Sequence, residues 1–349
     1  MIDDLKKNLK KRILILDGPM GTIIQKHPLT ESDFRGKKFK TWKKPLKGNN
    51  DILNISKSSL IFDIHHEYLK SGCDIIETNT FNSTMTSQED YLCQDYSYDL
   101  NFSGASIAKK CVDKFMKDNK NKEKKFVAGV LGPTNRTCSM SPDVNKPEFR
   151  NIDYDTLKKD YTISLSGLLD GGADLILIET IFDTLNAKAA LMAVYEMEKK
   201  LKIKIPLMLS VTITDLSGRT LSGQTLEAFY CSIKHMNPII VGLNCALGPK
   251  ELEPHLIVLS RICSSYVSIH PNAGLPNAFG EYDETPESMA KFTKKWAENG
   301  YLNIVGGCCG TTPEHIKAMK EVTSNIKPRE PKIEDYKFQL SGLENFSYR

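Results

Sequence analysis

The sequence predicts an α/β chain folded as a (β/α)8 barrel, and three observations carry that expectation. Eight short runs rich in Ile, Leu and Val recur along the 349 residues, with longer amphipathic stretches between them. The runs are almost continuously apolar, which suits strands of a parallel sheet buried on both faces. Polar, glycine and cysteine residues collect at the C-terminal ends of the runs, the ends that carry active sites in barrels of this class. A doubly wound open sheet is the competing arrangement. No Gly-x-Gly-x-x-Gly follows the first run, so the main positive sign of a dinucleotide fold is missing.

In order, the strands are expected at 13–17, 74–78, 126–131, 175–179, 207–212, 239–244, 266–269 and 303–305. The first leads into Gly18-Pro19-Met20-Gly21-Thr22, and the second ends in Glu77-Thr78-Asn79-Thr80-Phe81. Gly132-Pro133-Thr134-Asn135-Arg136 follows the third, and Glu179-Thr180 closes the fourth. The sixth ends in Asn244-Cys245, the seventh in His270-Pro271-Asn272 and the eighth in Gly306-Gly307-Cys308-Cys309-Gly310. Helices are expected at 60–71, 157–171, 185–201, 225–236 and 287–299, the last after Thr285 and Pro286, a helix-start signal. Residues 1–326 form the expected domain. From Lys327 onward Pro, Lys and Glu recur without periodicity, so 327–349 reads as a C-terminal tail or linker.

Composition narrows the function classes. With 40% hydrophobic and 26% charged residues the chain reads as a soluble globular protein. A net charge of +4 is small for this length and argues against a nucleic-acid partner. The lysines bunched at 37–47 and 117–125 read as solvated surface. The apolar run 13–16 is too short for a signal segment or a membrane span, so the expected location is cytoplasmic. Nine scattered cysteines, in a chain with ample core residues, argue for reduced thiols rather than a disulfide framework.

Cys308 and Cys309 are adjacent, and on a regular strand neighbours point to opposite faces. Gly306, Gly307 and Gly310 would supply the backbone angles that turn both thiols inward. A disulfide between the two is disfavoured, because neighbouring Cα atoms lie only about 3.8 Å apart. Cys245 sits two strands away on the same rim. Three thiols on one rim make a Zn²⁺ site with an open fourth position. The bland alternative, buried inert thiols, is the reading taken for Cys73, Cys93, Cys111, Cys138, Cys231 and Cys263.

Asp17 and Glu179 also end strands. Each would either cap the following helix or, together in one cleft, accept hydrogen bonds from a substrate ammonium group. The turn at Gly18, Met20, Gly21 and Thr22 offers backbone N–H groups to a carboxylate, although Pro19 contributes none. His270 is a donor, a base or a packed strand-end residue.

Leu16-Asp17-Gly18-Pro19-Met20-Gly21-Thr22, Glu77-Thr78-Asn79-Thr80-Phe81-Asn82, Gly242-Leu243-Asn244-Cys245 and Gly306-Gly307-Cys308-Cys309-Gly310-Thr311-Thr312-Pro313 resemble the homocysteine S-methyltransferase family. The likeness is greatest to the N-terminal homocysteine-binding module of cobalamin-dependent methionine synthases. Stretches 131–137, 182–188 and 270–278 look like that subfamily rather than betaine-dependent relatives. The resemblance runs over roughly residues 12–345. It implies a barrel with one Zn²⁺ held by Cys245, Cys308 and Cys309, the thiolate of L-homocysteine as fourth ligand, and Asn244 beside the metal. It implies that Asp17 and Glu179 hold the ammonium end, near Gly18, Met20, Gly21 and Thr22. Pro19 departs from the small residue often found there.

In the full enzymes this module precedes folate, cobalamin and reactivation modules. The sequence stops soon after 340–344 and has no Asp-x-His-x-x-Gly segment, so the expectation is a subunit of a split enzyme or part of a longer chain. Methylcobalamin would then come from a separate corrinoid- and folate-binding module. A free thiol of pKa near 8.5 is mostly protonated at neutral pH, and zinc coordination removes that proton. Three thiolates on Zn²⁺ carry a charge of −1 and a fourth makes −2, which leaves the substrate sulfur electron-rich. Two other functions stay open: a self-contained methyltransferase using betaine or S-methylmethionine, and a non-catalytic module binding zinc and homocysteine.

Overall fold

A computed structural model of the chain describes residues 2–120, 123–277, 282–333 and 338–348. Eight parallel strands stand side by side: β1 (Leu14–Ile15), β2 (Ile75–Glu77), β3 (Phe126–Leu131), β4 (Leu175–Ile181), β5 (Leu207–Val211), β6 (Ile240–Asn244), β7 (Tyr266–His270) and β8 (Ile304–Val305). β1 pairs with β8, and the ladder runs on in sequence order down to β2. A parallel bridge between Leu16 and Ile75 joins the two ends. The ring of strands is nearly closed, with helices between successive strands, and the expected (β/α)8 barrel is the fold found.

Strand alternation divides the core in two. Leu14, Leu16, Ile75, Val130, Leu177 and Met208 belong to one apolar set inside the ring. Ile13, Ile15, Ile76, Val127 and Ile176 belong to the set packed under the helices. The helix Ile2–Lys11, which the periodicity reading missed, adds Leu5 and Leu9 to the inner set and so closes the N-terminal end of the barrel. Beside it, buried Asp74 accepts hydrogen bonds from Arg12 (2.6 and 2.9 Å), Lys125 (2.8 Å) and the Ile15 N–H (3.0 Å). Lys125 is therefore buried, unlike the solvated lysines expected across 117–125.

Helices start where side chains can satisfy the free N–H groups of a first turn. Asp153, Asp183, Thr225 and Thr285 cap Tyr154–Asp170, Thr184–Leu201, Leu226–Ile233 and Pro286–Glu298 in this way. The helix expected at 225–236 stops at Ile233 and finishes as a 3-10 turn, Lys234–Met236. No helix among the described residues is long and apolar enough to cross a membrane.

The segment read as a tail folds back in its described parts. Buried Arg329 donates to the carbonyls of Ser260 (3.0 Å), Ser265 (2.9 Å) and Cys263. Farther on, β9 (Gln339–Ser341) pairs antiparallel with β10 (Asn345–Ser347), and Ser341 donates to the Ala228 carbonyl. Bonds from single side chains to carbonyls leave no periodic signature, which is why the sequence reads as unstructured there. Ala278, the last residue of the motif 270–278, lies outside the described residues.

Candidate metal centre and cleft

A cavity of about 430 Å³ opens at the C-terminal ends of the strands. Gly18, Met20, Gly21, Thr22, Glu77, Glu179, His270 and all three candidate cysteines line it. Asp17 and Asn244 do not line the cavity. Both are buried, at 1% and 0% exposure, directly behind its floor.

The three thiols converge through unusual backbone. Cys245 follows β6 with φ +60° and Ala246 with φ +56°, a region that costs a non-glycine residue energy and is held here by tertiary contacts. The Cys245 N–H donates to the His270 carbonyl at 3.3 Å. After β8, the Cys308 N–H donates to the Pro271 carbonyl at 2.8 Å, and the Thr311 hydroxyl returns to the Cys308 carbonyl at 2.8 Å. Of the flanking glycines only Gly310 has a positive φ, +82°. Gly307 serves by close approach instead, since a Cβ there would lie 2.1 Å from Thr311 Oγ1.

Cys309 Sγ stands 4.0 Å from the sulfurs of both Cys245 and Cys308. All three sulfurs lie within 4.8 Å of one another. Tetrahedral zinc with Zn–S of about 2.3 Å needs sulfurs about 3.8 Å apart, so the donor set fits with little adjustment. Electrostatics agree. Hydrogen bonds from Cys245 and Cys308 draw the Cys309 thiol down to about 3. Cys308 is pushed well up by its hydrogen bonds with Cys245 and Cys309. Cys245, despite its bond with Cys308, is pushed up to about 12 by Cys309 and by burial. Three adjacent, largely buried thiolates require a cation. The remaining cysteines stand outside this cluster, buried except for half-buried Cys231.

The floor is a buried polar network. Both oxygens of Asp17 accept the Glu77 N–H, at 3.0 and 3.1 Å. Asn244 Oδ1 accepts from the Thr180 N–H (3.1 Å) and the Ser210 hydroxyl (2.7 Å). Its Nδ2 donates to Glu179 Oε2 (3.2 Å) and Thr180 Oγ1 (2.8 Å). This hub holds Thr180 at φ +53° in a bulge that carries β4 past its expected end at Glu179. Neither acid caps a helix: Pro19 sits at the cap of Met20–Gln25, and Asp183 caps Thr184–Leu201. His270 Nε2 lies 3.0 Å from Ser210 Oγ, and its Nδ1 lies 3.6 Å from Glu77 Oε1. That second separation is too long for a hydrogen bond. Burial lowers His270 to about 3, so the contact is not an ion pair. Burial raises Asp17, Glu77 and Glu179, with mutual repulsion adding to the first two and the Cys309 charge to Glu179, which reaches about 8. A floor of this kind favours a cationic guest.

The structure brings the three thiols and Glu179 to one cleft, together with Glu77 and, behind the floor, Ser210, two residues that sequence reasoning did not single out. Glu77 carried the same signal as Asp17 and Glu179, a carboxylate at a strand end. Ser210 is a lone hydroxyl within an apolar run.

The model of the family described as homocysteine S-methyltransferase matches residues 14–323. Among solved structures, the chain is similar to the homocysteine methyltransferase MmuM from Escherichia coli. Its metallated form superposes with a TM-score of 0.72 at 20% identity, over 91% of this chain and 99% of that one. The oxidized form gives 0.67 at 19%, over 88% and 95%. The apo form gives 0.67 at 19%, over 90% and 97%. At this identity the superpositions speak for the fold, while the family model spans most of the sequence: the chain belongs to the homocysteine S-methyltransferase family.

Proposed function

We propose that the chain binds one Zn²⁺ through Cys245, Cys308 and Cys309 and activates L-homocysteine for S-methylation to L-methionine, as the homocysteine-binding part of a methionine synthase. The observation that carries the reading is the convergence of three thiols on one wall of a cleft whose floor is acidic. Zinc in this site would strip the proton from a fourth thiol and keep the resulting sulfur in an anionic ligand set. The protein's own groups do the rest. Glu179, held by Asn244, offers a carboxylate oxygen to the substrate ammonium group, and Asp17 adds negative charge behind the same floor. Met20, Gly21 and Thr22 open the helix Met20–Gln25, whose first-turn N–H groups suit the substrate carboxylate. The methyl group would come from methylcobalamin carried by a separate corrinoid- and folate-binding module facing the cleft mouth. This chain would hold the substrate sulfur toward that methyl carbon, so that an S–C bond could form as the Co–C bond breaks with its electron pair left on the corrinoid.

A second reading is a self-contained enzyme using betaine or S-methylmethionine, favoured by the match to 99% of the MmuM chain. One assay separates the two: zinc-quantified protein and homocysteine, with methylcobalamin, betaine or S-methylmethionine as donor. Methionine formed from methylcobalamin, and lost in Cys309→Ala together with zinc while the barrel stays folded, supports the proposal. Turnover only with the small donors supports the second reading. Bound zinc with no turnover from any donor would mean a binding module.

A further inference from the structure

We propose that the hairpin of β9 and β10 is a self-association surface, packing face to face on the same hairpin of a second copy of this chain. The proposal is independent of the zinc and homocysteine reading, since no residue of the hairpin lines the cleft.

The register fixes what each face of the hairpin carries. Ser341 pairs with Asn345, Leu340 with Phe346 and Gln339 with Ser347. The Tyr348 N–H extends the ladder to the Phe338 carbonyl at 3.0 Å. Side chains alternate along a strand, so Gln339, Ser341, Asn345 and Ser347 share one face, and Phe338, Leu340, Phe346 and Tyr348 share the other. The polar face is the one turned toward the barrel. Ser341 donates to the Ala228 carbonyl at 2.6 Å and accepts from Ser232 at 2.8 Å. The tip is tied down as well. The Thr225 N–H donates to the Leu343 carbonyl at 3.0 Å, Gln224 Nε2 to the Gly342 carbonyl at 2.7 Å, and Arg219 pairs with Glu344. These bonds leave the apolar face looking outward: Phe338, Leu340, Phe346 and Tyr348 are 64, 54, 56 and 69% exposed, and Leu343 at the tip is 60% exposed.

That orientation is the reverse of a solvated antiparallel ribbon, which packs its apolar face on the core and shows its polar face to water. Two strands alone are marginal until something covers their hydrophobic face. Three aromatic side chains, each able to bury about 150–250 Å², and two leucines, all more than half exposed, offer on the order of 500–600 Å² per copy. Two copies face to face would cover about 1,000–1,200 Å², enough for a specific interface. Charge selects the partner. A two-fold contact sets the same patch against itself, so an unpaired charge there would meet its like. Residues 338–348 contain none of the chain's 47 Lys and Arg, and their one acid, Glu344, is taken by Arg219. Exposed strands that must stay single are usually guarded by lysine, which this lysine-rich chain withholds from the hairpin. A patch without charge is complementary to its own copy, and gives an oppositely charged partner nothing to recognise.

Sedimentation velocity of the full chain over a wide concentration range tests the proposal. The wild type is expected to show a reversible equilibrium between monomer and dimer. Phe346→Lys places a charge on the apolar face, opposite its own copy, and should raise the dissociation constant roughly 100-fold. Circular dichroism and metal content should not change, because the hairpin stands apart from the cleft. Amide hydrogen exchange of the wild type locates the contact without any substitution. Exchange across 338–348 should slow as the dimer forms, while the helix Ile2–Lys11 at the closed end of the barrel stays as it was. A chain that remains monomeric throughout, or that grows into open-ended aggregates, overturns the proposal. So does a dimer that survives Phe346→Lys, or one whose formation leaves exchange in the hairpin unaltered.

Discussion

Asn244→Ala tests whether the floor network holds the site together. The side chain is fully buried and makes four hydrogen bonds, at 3.1, 2.7, 3.2 and 2.8 Å. Truncation leaves the Thr180 N–H, the Ser210 hydroxyl and Glu179 each short of a partner. At about 1–2 kcal/mol per abandoned buried group, the loss is about 3–6 kcal/mol. Thr180, freed from φ +53°, relaxes and returns about 1–2 kcal/mol. A net destabilisation of about 3 kcal/mol is expected, a large share of the 5–15 kcal/mol typical of a domain. Urea unfolding should show it as a lower midpoint at unchanged slope. Because Asn244 directly precedes Cys245, zinc affinity should also fall, by roughly the 10- to 100-fold seen when groups orienting metal ligands are removed. A loss of stability below about 0.5 kcal/mol, with zinc retained, would refute the hub.

Asn244→Asp refines the test through pH. It keeps an oxygen for Thr180 and Ser210 but sets a carboxylate against Glu179 Oε2. A buried carboxylate beside another has a folded pKa above its unfolded value of about 3.9. The cost is therefore absent below about pH 4 and grows as pH rises. The variant should lie nearer the wild type at pH 5 than at pH 8, and the opposite trend would refute the assigned amide orientation.

Other expectations are checked more simply. Asp51 is buried, and burial raises it to about 6 although Ser83 and Asn82 both donate to its Oδ1. Asn supplies the same acceptor without the charge, so Asp51→Asn should match the wild type near pH 4 and gain up to about 3 kcal/mol at pH 8 in urea unfolding. Gly310→Ala meets both a φ of +82° and the Tyr282 ring at 2.4 Å, so metal analysis should show zinc lost while circular dichroism shows the barrel intact. Arg329→Met strips three carbonyls of their donor and should lower stability by about 2–4 kcal/mol with zinc content unchanged.

What the sequence made legible, and what it hid, follows from how each feature is built. The strands are near-continuous apolar runs, a local property, and all eight were readable. The run at 126–131 matches β3 end to end. Cys308 and Cys309 stood out because two thiols between glycines have no packing explanation. Their convergence with Cys245 then followed from the ring itself, which sets β6 and β8 either side of β7. The helix Ile2–Lys11 buries only Leu5 and Leu9 among charged and polar neighbours, so it looks solvated until the open end of a barrel supplies the cover. The roles of the acids were ambiguous for a different reason. Asp17, Glu77 and Glu179 each end a strand, and nothing local says which carboxylate faces the cavity. That depends on where hydrogen-bond donors from other strands happen to lie. Asp17 is claimed by the backbone of β2 and Glu179 by Asn244 on β6, while Glu77 is left with an oxygen that no other group reaches. Strand pairing is encoded locally, but the assignment of donors to acceptors across a barrel floor is decided only when all eight strands are in place. The chemistry of this cleft lives in that second layer.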